Sequence, residues 1–194
     1  IEVRNVWKVF GQGSPDEAIA LAKAGSTRQD IITSIDQTVA VRDVSFSVAR
    51  GETFVVMGLS GSGKSTLIRC LSRLIEPTSG EVLLNGEDLL AMDADQLREV
   101  RRGKISMVFQ HFGLFPHRKV IDNIAYGLEV QKVDKATRLA RANEVLNIVG
   151  LDGWADRYPQ QLSGGMQQRE VLHAHLPSTQ KFCCLTNHFR HLTH

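Results

Sequence analysis

The sequence predicts an α/β fold, with a mostly parallel sheet at its core, an antiparallel β flank and a helical subdomain at about 111–165. A short apolar run at 53–57 has the composition of a fully buried strand, and a glycine-rich loop and a helical pattern follow it. Apolar and polar residues alternate at 38–48, which is typical of a strand with one buried face. Amphipathic patterns at 120–130 and 134–149 favour the helical subdomain.

The residues before the glycine-rich loop predict two strands with two helices between them. Residues 1–10 alternate as a strand does and lead, like 38–48, into the antiparallel flank. Residues 16–24 and 27–34 have helical patterns. Ser14 can cap the first helix, because its hydroxyl can accept an unpaired backbone N–H of the first turn.

The elements after the loop follow from periodicity and from turn residues. A helix is expected at 65–75, a polar helix at 93–101 and a second buried strand at 104–110. Between the two helices, "GEVLLNGEDL" predicts a strand that ends in a tight turn at Asn85-Gly86. Asp134 is a suitable cap for the last helix.

Length, composition and charge limit the kinds of protein that the chain can be. The 194 residues suffice for a core, and the whole chain, 1–194, is interpreted as one domain. A net charge of +2 is too small to attract nucleic acid, so no nucleic-acid partner is expected. The three cysteines form no recognisable disulfide framework. No apolar run approaches the ~20 residues of a membrane span.

The stretch "GLSGSGKST" at 58–66 matches the pattern of a phosphate-binding loop placed between a strand and a helix. Its glycines let backbone N–H groups point at phosphate oxygens, and the helix N-terminus adds partial positive charge. The residues expected to bind the nucleotide are Gly58, Ser60, Gly61, Ser62, Gly63, Lys64, Ser65 and Thr66. Lys64 would neutralise the β- and γ-phosphates, and Ser65 would bind Mg²⁺. The loop predicts a nucleoside triphosphate site and leaves the reaction open.

A second motif, "LSGGMQQR" at 162–169, resembles LSGGQ, the signature motif of ATP-binding cassette (ABC) ATPases. Met166 stands at the position of the usual glutamine, and a helix is expected to begin near it. Ser163 and the Gly164 and Gly165 amides precede that helix, so the motif can bind an anion. The resemblance implies that these three residues contact ATP held by another subunit, in a homodimer packed head to tail.

A glutamine and an apolar segment lie between these motifs. Gln110 ends the buried strand at 104–110, as the Q-loop glutamine of ABC ATPases does, and the resemblance implies that it contacts Mg²⁺ or the attacking water. Residues 111–119, with Leu114 and Phe115, are too apolar for a freely solvated loop. The resemblance implies that this segment contacts a membrane permease.

Longer stretches, among them "MGLSGSGKSTLIRCLSRLIEPTSGEVLLNG", look like the ATPase subunit of bacterial glycine betaine/L-proline (quaternary amine) importers. So does the helical insertion at 14–37, which generic cassettes lack; the resemblance covers residues 1 to about 169. It implies an osmoprotectant importer that uses ATP and Mg²⁺ and works with permease subunits and a substrate-binding protein. The subunit would lie peripherally on the cytoplasmic face of the bacterial inner membrane. Such ATPases do not touch the solute, so the substrate class rests on the resemblance alone.

The residue that would stack on adenine is left open by the sequence. ABC ATPases of this type use an aromatic side chain upstream of the phosphate-binding loop. Val39 and Val41, which are not aromatic, stand at the expected position. Phe46 lies closer to the loop, and Phe10 or Trp7 could substitute.

The tail after Arg169 departs from the family pattern, which continues with an apolar strand ending in Asp-Glu, the Glu being the general base. Residues 170–194 have Glu170 as their one acid, so a general base is not present. The run "KFCCL" at 181–185 is apolar enough to occupy the position of the missing strand, beside the strand of the phosphate-binding loop. Residues 177–194 can be encoded so that the same bases, read two positions in, spell V-D-P-K-I-L-L-L-D-E-P-F-S-A-L-D-P. We therefore hypothesise a frameshift that makes the tail out-of-frame and leaves the C-terminal part of the fold incomplete.

Three alternatives stand beside the interpretation of an ATP-binding importer subunit that hydrolyses ATP poorly. A small-molecule kinase would explain the phosphate-binding loop but would leave the signature motif and Gln110 unused. A soluble cassette ATPase acting on DNA or ribosomes would carry long coiled-coil arms or paired cassettes, and the sequence has neither. The third alternative is a non-functional frameshifted fragment.

Overall fold

The computed structural model describes residues 1–108, 113–167 and 182–185. The chain forms two compact units, Ile1–Leu97 and Arg98–His194, and each is described by itself. Gln110 and Glu170, which the sequence analysis singled out, lie outside the described residues.

The first unit contains a four-stranded sheet in the order β2-β1-β3-β4, in which every neighbouring pair is antiparallel. The strands are β1 (Glu2–Phe10), β2 (Thr38–Ser47), β3 (Ser79–Leu84) and β4 (Glu87–Asp88). Val3 on β1 is paired with Val82 on β3, and both side chains are buried. Asn85 and Gly86 both have positive φ, as a two-residue hairpin turn requires. The predicted antiparallel flank and its turn are confirmed.

Two helices lie between β1 and β2, as the sequence predicted: α1 (Pro15–Lys23) and α2 (Arg28–Ile35). The Ser14 side chain caps α1, and Thr27 and Asp30 form a reciprocal capping box at the start of α2. The apolar faces of both helices pack on the sheet in one cluster of buried residues. Its members are Trp7, Val9, Ala18, Ala22, Ile31 and Val39. The insertion is therefore fixed to the sheet by its own core.

The buried parallel strand predicted at 53–57 is not formed, and this element of the prediction is wrong. Phe54, Val55 and Met57 are 47%, 64% and 85% exposed. A parallel strand takes its ladder hydrogen bonds from neighbours distant in the chain, and none of the described strands pairs with this segment. The helix after the loop, α3 (Lys64–Leu71), overlaps the range 65–75 predicted for it, beginning one residue earlier and ending four residues sooner.

Three further helices follow, and two of them form a small core in the second unit. They are α4 (Ala94–Gly103), α5 (Val120–Val130) and α6 (Lys135–Ile148). Ile124 on α5 and Leu146 on α6 belong to one buried cluster, and Asp134 caps α6 by accepting the Thr137 N–H. The predicted helices and the cap are confirmed. None of the described helices has the length and apolar character of a membrane span.

The described part of the second unit also contains one parallel pair, β5 (Ile105–Val108) with β6 (Phe182–Leu185). Ile105 is paired with Phe182, so the apolar run of the tail does form a strand. It pairs with β5, whereas the sequence predicts it beside residues 53–57, so this predicted pairing is wrong.

Candidate functional site

The lysine of the phosphate-binding loop lies among oxygen atoms of that same loop. Lys64 Nζ donates to the carbonyl oxygens of Gly58 and Leu59, each at 2.6 Å, and to Ser62 Oγ at 3.3 Å. Gly58, Leu59 and Ser62 are thus brought together around one ammonium group.

Two glycines of the loop are required by the backbone of this chain. Gly61 and Gly63 have φ of +77° and +89°, which side-chain-bearing residues rarely adopt. A Cβ added at Gly63 would lie 2.1 Å from the carbonyl oxygen of Ala40 on β2. One added at Gly58 would lie 2.9 Å from Ser62 Oγ. The loop is therefore a close turn packed against β2 that larger residues would distort.

The start of α3 has the electrostatic character of an anion site. Lys64, Ser65 and Thr66 are its first residues, no side chain caps it, and its first turn contains no acid. Uncapped N–H groups at a helix start can bind an anion, and the helix dipole favours negative charge there. Ser60 at the loop and Ser65 are both exposed. A phosphate group fits this end of the helix.

The groups present also fit a Mg²⁺ ion that arrives with phosphate. Mg²⁺ is usually bound by one or two protein oxygens together with substrate phosphates and waters. Ser65 offers an exposed hydroxyl oxygen. In the described part of the chain, no three His, Cys, Asp or Glu residues cluster as an all-protein metal site would require.

One contact that the sequence did not predict joins the insertion to the loop. Arg28, the first residue of α2, donates from Nη1 to the carbonyl oxygen of Gly61 at 2.9 Å. The two residues are 33 positions apart, and no periodicity or motif links them, so no sequence signal indicates the contact.

The structure narrows the candidates for stacking on adenine. Val39, Val41 and Trp7 are buried in the core, with 9%, 4% and 4% of their surface exposed, and cannot offer a face to a ligand. Phe46 stacks on Phe54, with ring centroids 4.6 Å apart. Phe10 is 42% exposed, with Lys8 Nζ 4.9 Å from its ring centroid. Phe10 and Phe46 therefore stay as candidates.

The signature motif forms a capped helix start in the second unit. Residues 164–167 are helical; Ser163 Oγ accepts the Met166 N–H at 3.4 Å, and the Ser163 carbonyl accepts the Gln167 N–H at 2.9 Å. Met166 packs on the buried cluster of α5 and α6. The substitution of methionine at the usual glutamine position thus serves packing.

The glycines of the signature motif differ from those of the phosphate-binding loop. Gly164 and Gly165 are exposed, neither has a left-handed φ, and a Cβ added at either would meet no atom within 4 Å. Nothing in the described part of this chain requires glycine at these two positions. Both positions are open to a close approach of another group to the backbone.

The described part of the predicted permease contact, residues 113–119, is tied to α5 by a buried asparagine. Asn123 is 7% exposed, and its Oδ1 accepts the Phe115 N–H at 2.7 Å. Its Nδ2 donates to the carbonyl oxygens of Phe115, Arg118 and Lys119 at 3.2, 3.1 and 3.0 Å. The backbone of the segment therefore has a defined conformation.

Aromatic and cationic groups cover the same segment. The Phe115 ring meets Tyr126 edge-on, with centroids 4.6 Å apart, and the Arg118 guanidinium lies over both rings at 5.5 and 5.0 Å. Arg118 pairs with Glu129 at 2.9 Å, and this hydrogen bond lowers the pKa of the Glu129 carboxyl. The result is a half-buried aromatic surface with one charged pair at its edge.

Known proteins resemble the chain in sequence and in structure. A model of the family described as "ABC transporter" matches residues 41–187. The glycine betaine transport ATP-binding protein OpuAA of Bacillus subtilis (strain 168) is 53% identical over 169 residues, 87% of this chain. The trimethylamine N-oxide transport system ATP-binding protein TmoW of Ruegeria pomeroyi is 51% identical over 170 residues, also 87% of this chain. The ATP-binding cassette MJ0796, in a dimeric post-hydrolysis state bound to ADP and Pi, matches with a TM-score of 0.76 and 26% identity, covering 96% of this chain and 87% of that chain.

The chain is much shorter than the two relatives. It spans 40% of the length of OpuAA and 49% of the length of TmoW. The likeness therefore concerns less than half of the length of each relative.

Proposed function

The chain belongs to the ABC transporter family, and from that premise we propose that it is the ATP-binding part of an importer subunit for glycine betaine, proline or a related osmoprotectant. Its fold is that of ABC ATPase cassettes. The observation that carries the proposal is the close turn at 58–64, with Lys64 Nζ among the loop oxygens and an uncapped helix directly after it. The family match favours this function over the small-molecule kinase.

The loop residues would bind the triphosphate of ATP. Lys64 would exchange the Gly58 and Leu59 carbonyl oxygens for β- and γ-phosphate oxygens, and its charge would offset theirs. The N–H groups of Lys64, Ser65 and Thr66 would donate to the phosphates from the start of α3. Mg²⁺, held by Ser65 and Gln110, would supply further neutralisation of phosphate charge.

Two copies of the chain would pack head to tail over two ATP molecules. Gly164 and Gly165 support this arrangement, because nothing in the described part of the chain requires a glycine at either position. A γ-phosphate that approaches the backbone closely would need both positions to lack a side chain. Ser163 would add its hydroxyl at the same helix start.

The permease would contact the second unit at residues 113–119. Phe115 is half-buried, Tyr126 is 36% exposed, and Arg118 extends over both rings. Aromatic residues and arginine are enriched at the centres of protein interfaces. The Asn123 hydrogen bonds would hold this surface in one conformation, so a change at one end of the segment would be transmitted along it.

The solute is inferred from likeness alone. OpuAA is a glycine betaine transport protein and TmoW a trimethylamine N-oxide transport protein, so the methylated amines are the favoured substrates among these osmoprotectants. In the complete system a substrate-binding protein would select the solute, and this subunit would lie on the cytoplasmic face of the bacterial inner membrane.

Binding of ATP is tested by replacing the loop cation. Lys64→Ala should abolish binding of a fluorescent ATP analogue in the presence of Mg²⁺, because the phosphate charge loses its neighbouring cation. Lys23→Ala is the matched control, because it also removes a lysine cation, but one that lies over the Trp7 ring, 5.8 Å from its centroid, and not among the loop oxygens. Equal affinity of Lys64→Ala and the parent would contradict the proposed site.

Dimerisation is tested at the signature motif. Ser163→Arg, in a chain with its downstream reading frame restored, should prevent ATP-induced dimerisation and leave ATP binding by the monomer intact. A large cation would fill the space that the partner's γ-phosphate must enter. A dimer peak unchanged in gel filtration with ATP would argue against the head-to-tail contact.

Hydrolysis by the chain should be slow, because the tail supplies no general base. Loss of a positioned base typically costs about 10²–10⁴ in rate. Steady-state phosphate release should therefore be far slower than from the chain with its frame restored. Equal turnover would refute the frameshift hypothesis, and absence of ATP binding in the parent chain would favour a non-functional fragment.

A further inference from the structure

We propose that Arg28 is a positioning residue for nucleotide binding, whose guanidinium holds the phosphate-binding loop in the conformation that accepts phosphate. The inference rests on the proposed binding of ATP by this loop. It assigns a role to the helical insertion, which the sequence analysis treated only as a mark of resemblance.

The middle of the loop is exposed, and Arg28 contacts it from another element of the first unit. Gly61 is exposed, and no atom lies within 4 Å of the position that a Cβ would take. The Arg28 guanidinium donates to the Gly61 carbonyl oxygen at 2.9 Å. One end of the loop is held at Gly63, whose backbone lies against the Ala40 carbonyl. Arg28 therefore supplies a second point of attachment on the other side of the turn.

The helix that carries Arg28 is itself held in place. The capping box of Thr27 and Asp30 fixes its first turn, and Ile31 is 1% exposed within the cluster on the sheet. Arg42 on β2 donates to the Ala22 carbonyl at the end of α1. The Arg28 side chain is thus attached to a rigid helix end, so less conformational entropy is lost when its guanidinium binds the Gly61 carbonyl.

The geometry of the peptide group connects this contact to phosphate binding. In a trans peptide, the carbonyl of one residue and the N–H of the next point in opposite directions, and the described chain contains no cis bond. With the Gly61 carbonyl held by Arg28, the Ser62 N–H points into the loop, where it donates to the Leu59 carbonyl at 3.2 Å. Leu59 also accepts from Lys64. The arginine therefore keeps the Ser62 N–H facing the interior that the phosphates would enter.

The experiment measures binding of fluorescent ATP and ADP analogues by the full chain with Mg²⁺. Arg28→Ala should weaken the binding of both nucleotides by the same factor, about three- to tenfold, the typical value for one intramolecular hydrogen bond. Arg28→Lys should recover part of the loss, because it keeps a cationic donor on a shorter side chain. Gln29→Ala, the exposed neighbour on α2, is the matched control and should bind as the parent does.

The results separate this role from three others. Unchanged affinity of Arg28→Ala beside a parent that binds ATP would overturn the inference alone, whereas a parent that binds no nucleotide would overturn the proposed function. A loss larger for ATP than for ADP, and reduced at high salt, would show direct γ-phosphate contact and overturn the positioning role. An equal loss in Gln29→Ala, or a lowered Tm in Arg28→Ala, would show general damage to α2 and overturn it as well.

Discussion

The substitution Gly63→Ala tests whether the close turn of the phosphate-binding loop is needed for nucleotide binding. The added Cβ would lie 2.1 Å from the Ala40 carbonyl oxygen, whereas real Cβ atoms essentially never approach within 3.0 Å. The neighbouring atom belongs to the backbone of β2, which is paired with β1 and cannot rotate away. The loop itself must therefore move by about 1 Å, a distance that separates a hydrogen bond from no hydrogen bond.

Gly63→Ala should change two quantities that can be measured separately, the free energy of unfolding and the Kd for ATP. The φ of +89° at Gly63 is left-handed, and alanine there costs about 1–2 kcal/mol of stability. Displacement of the loop by about 1 Å should cost at least one phosphate hydrogen bond, so the Kd for ATP should rise about tenfold or more.

A fluorescent ATP analogue reports the Kd, and urea unfolding reports the stability. Gly164→Ala is the matched control, because the same methyl group added there meets no atom within 4 Å. Its monomer should bind ATP as the parent does. The reasoning is refuted if Gly63→Ala and Gly164→Ala bind with the same Kd.

The remaining predictions concern the second unit and the buried thiol. Asn123→Leu leaves the Phe115 N–H and carbonyl without their partner, which should cost about 2–3 kcal/mol and speed hydrogen exchange of the Phe115 N–H; unchanged exchange would contradict the proposed bracing of this segment. Hydrogen bonds from Thr137 lower the pKa of Asp134, so its stabilising contribution is complete above the unfolded-state pKa and is lost as pH falls through the folded one. Asp134→Asn should therefore lose less stability than the parent between pH 7 and pH 3 in urea unfolding, and an equal loss would refute this. Burial raises the pKa of Cys70 to about 11, so iodoacetamide at pH 8 should label it only after unfolding, as peptide mass spectrometry would show; rapid labelling of the native chain would contradict its burial.

Much of the local structure and part of the site could be predicted from the sequence. The capped start of α6 at Asp134 and the turn at Asn85-Gly86 follow from residues within a few positions of each other. The phosphate-binding loop was found for the same reason, because its glycines and Lys64 are contiguous. The glycines in this loop mark the positions where the backbone can adopt positive φ, and Lys64 marks the position of the cation.

The tertiary structure alone decided the pairings between distant segments. Residues 53–57 have the composition of a buried strand, yet their exposure depends on which neighbours are present, and β6 pairs with β5. Periodicity within a segment specifies which face is apolar but not which partner covers it.

The same limit applies within the site. The sequence by itself determined that a phosphate-binding loop and a signature motif exist, since both are written in consecutive residues. Only the tertiary structure decided that Val39 and Val41 are buried away from any ligand, and that Arg28 reaches Gly61 across 33 positions. Contacts of this kind arise when packed elements bring remote side chains together, and no local pattern of residues encodes them.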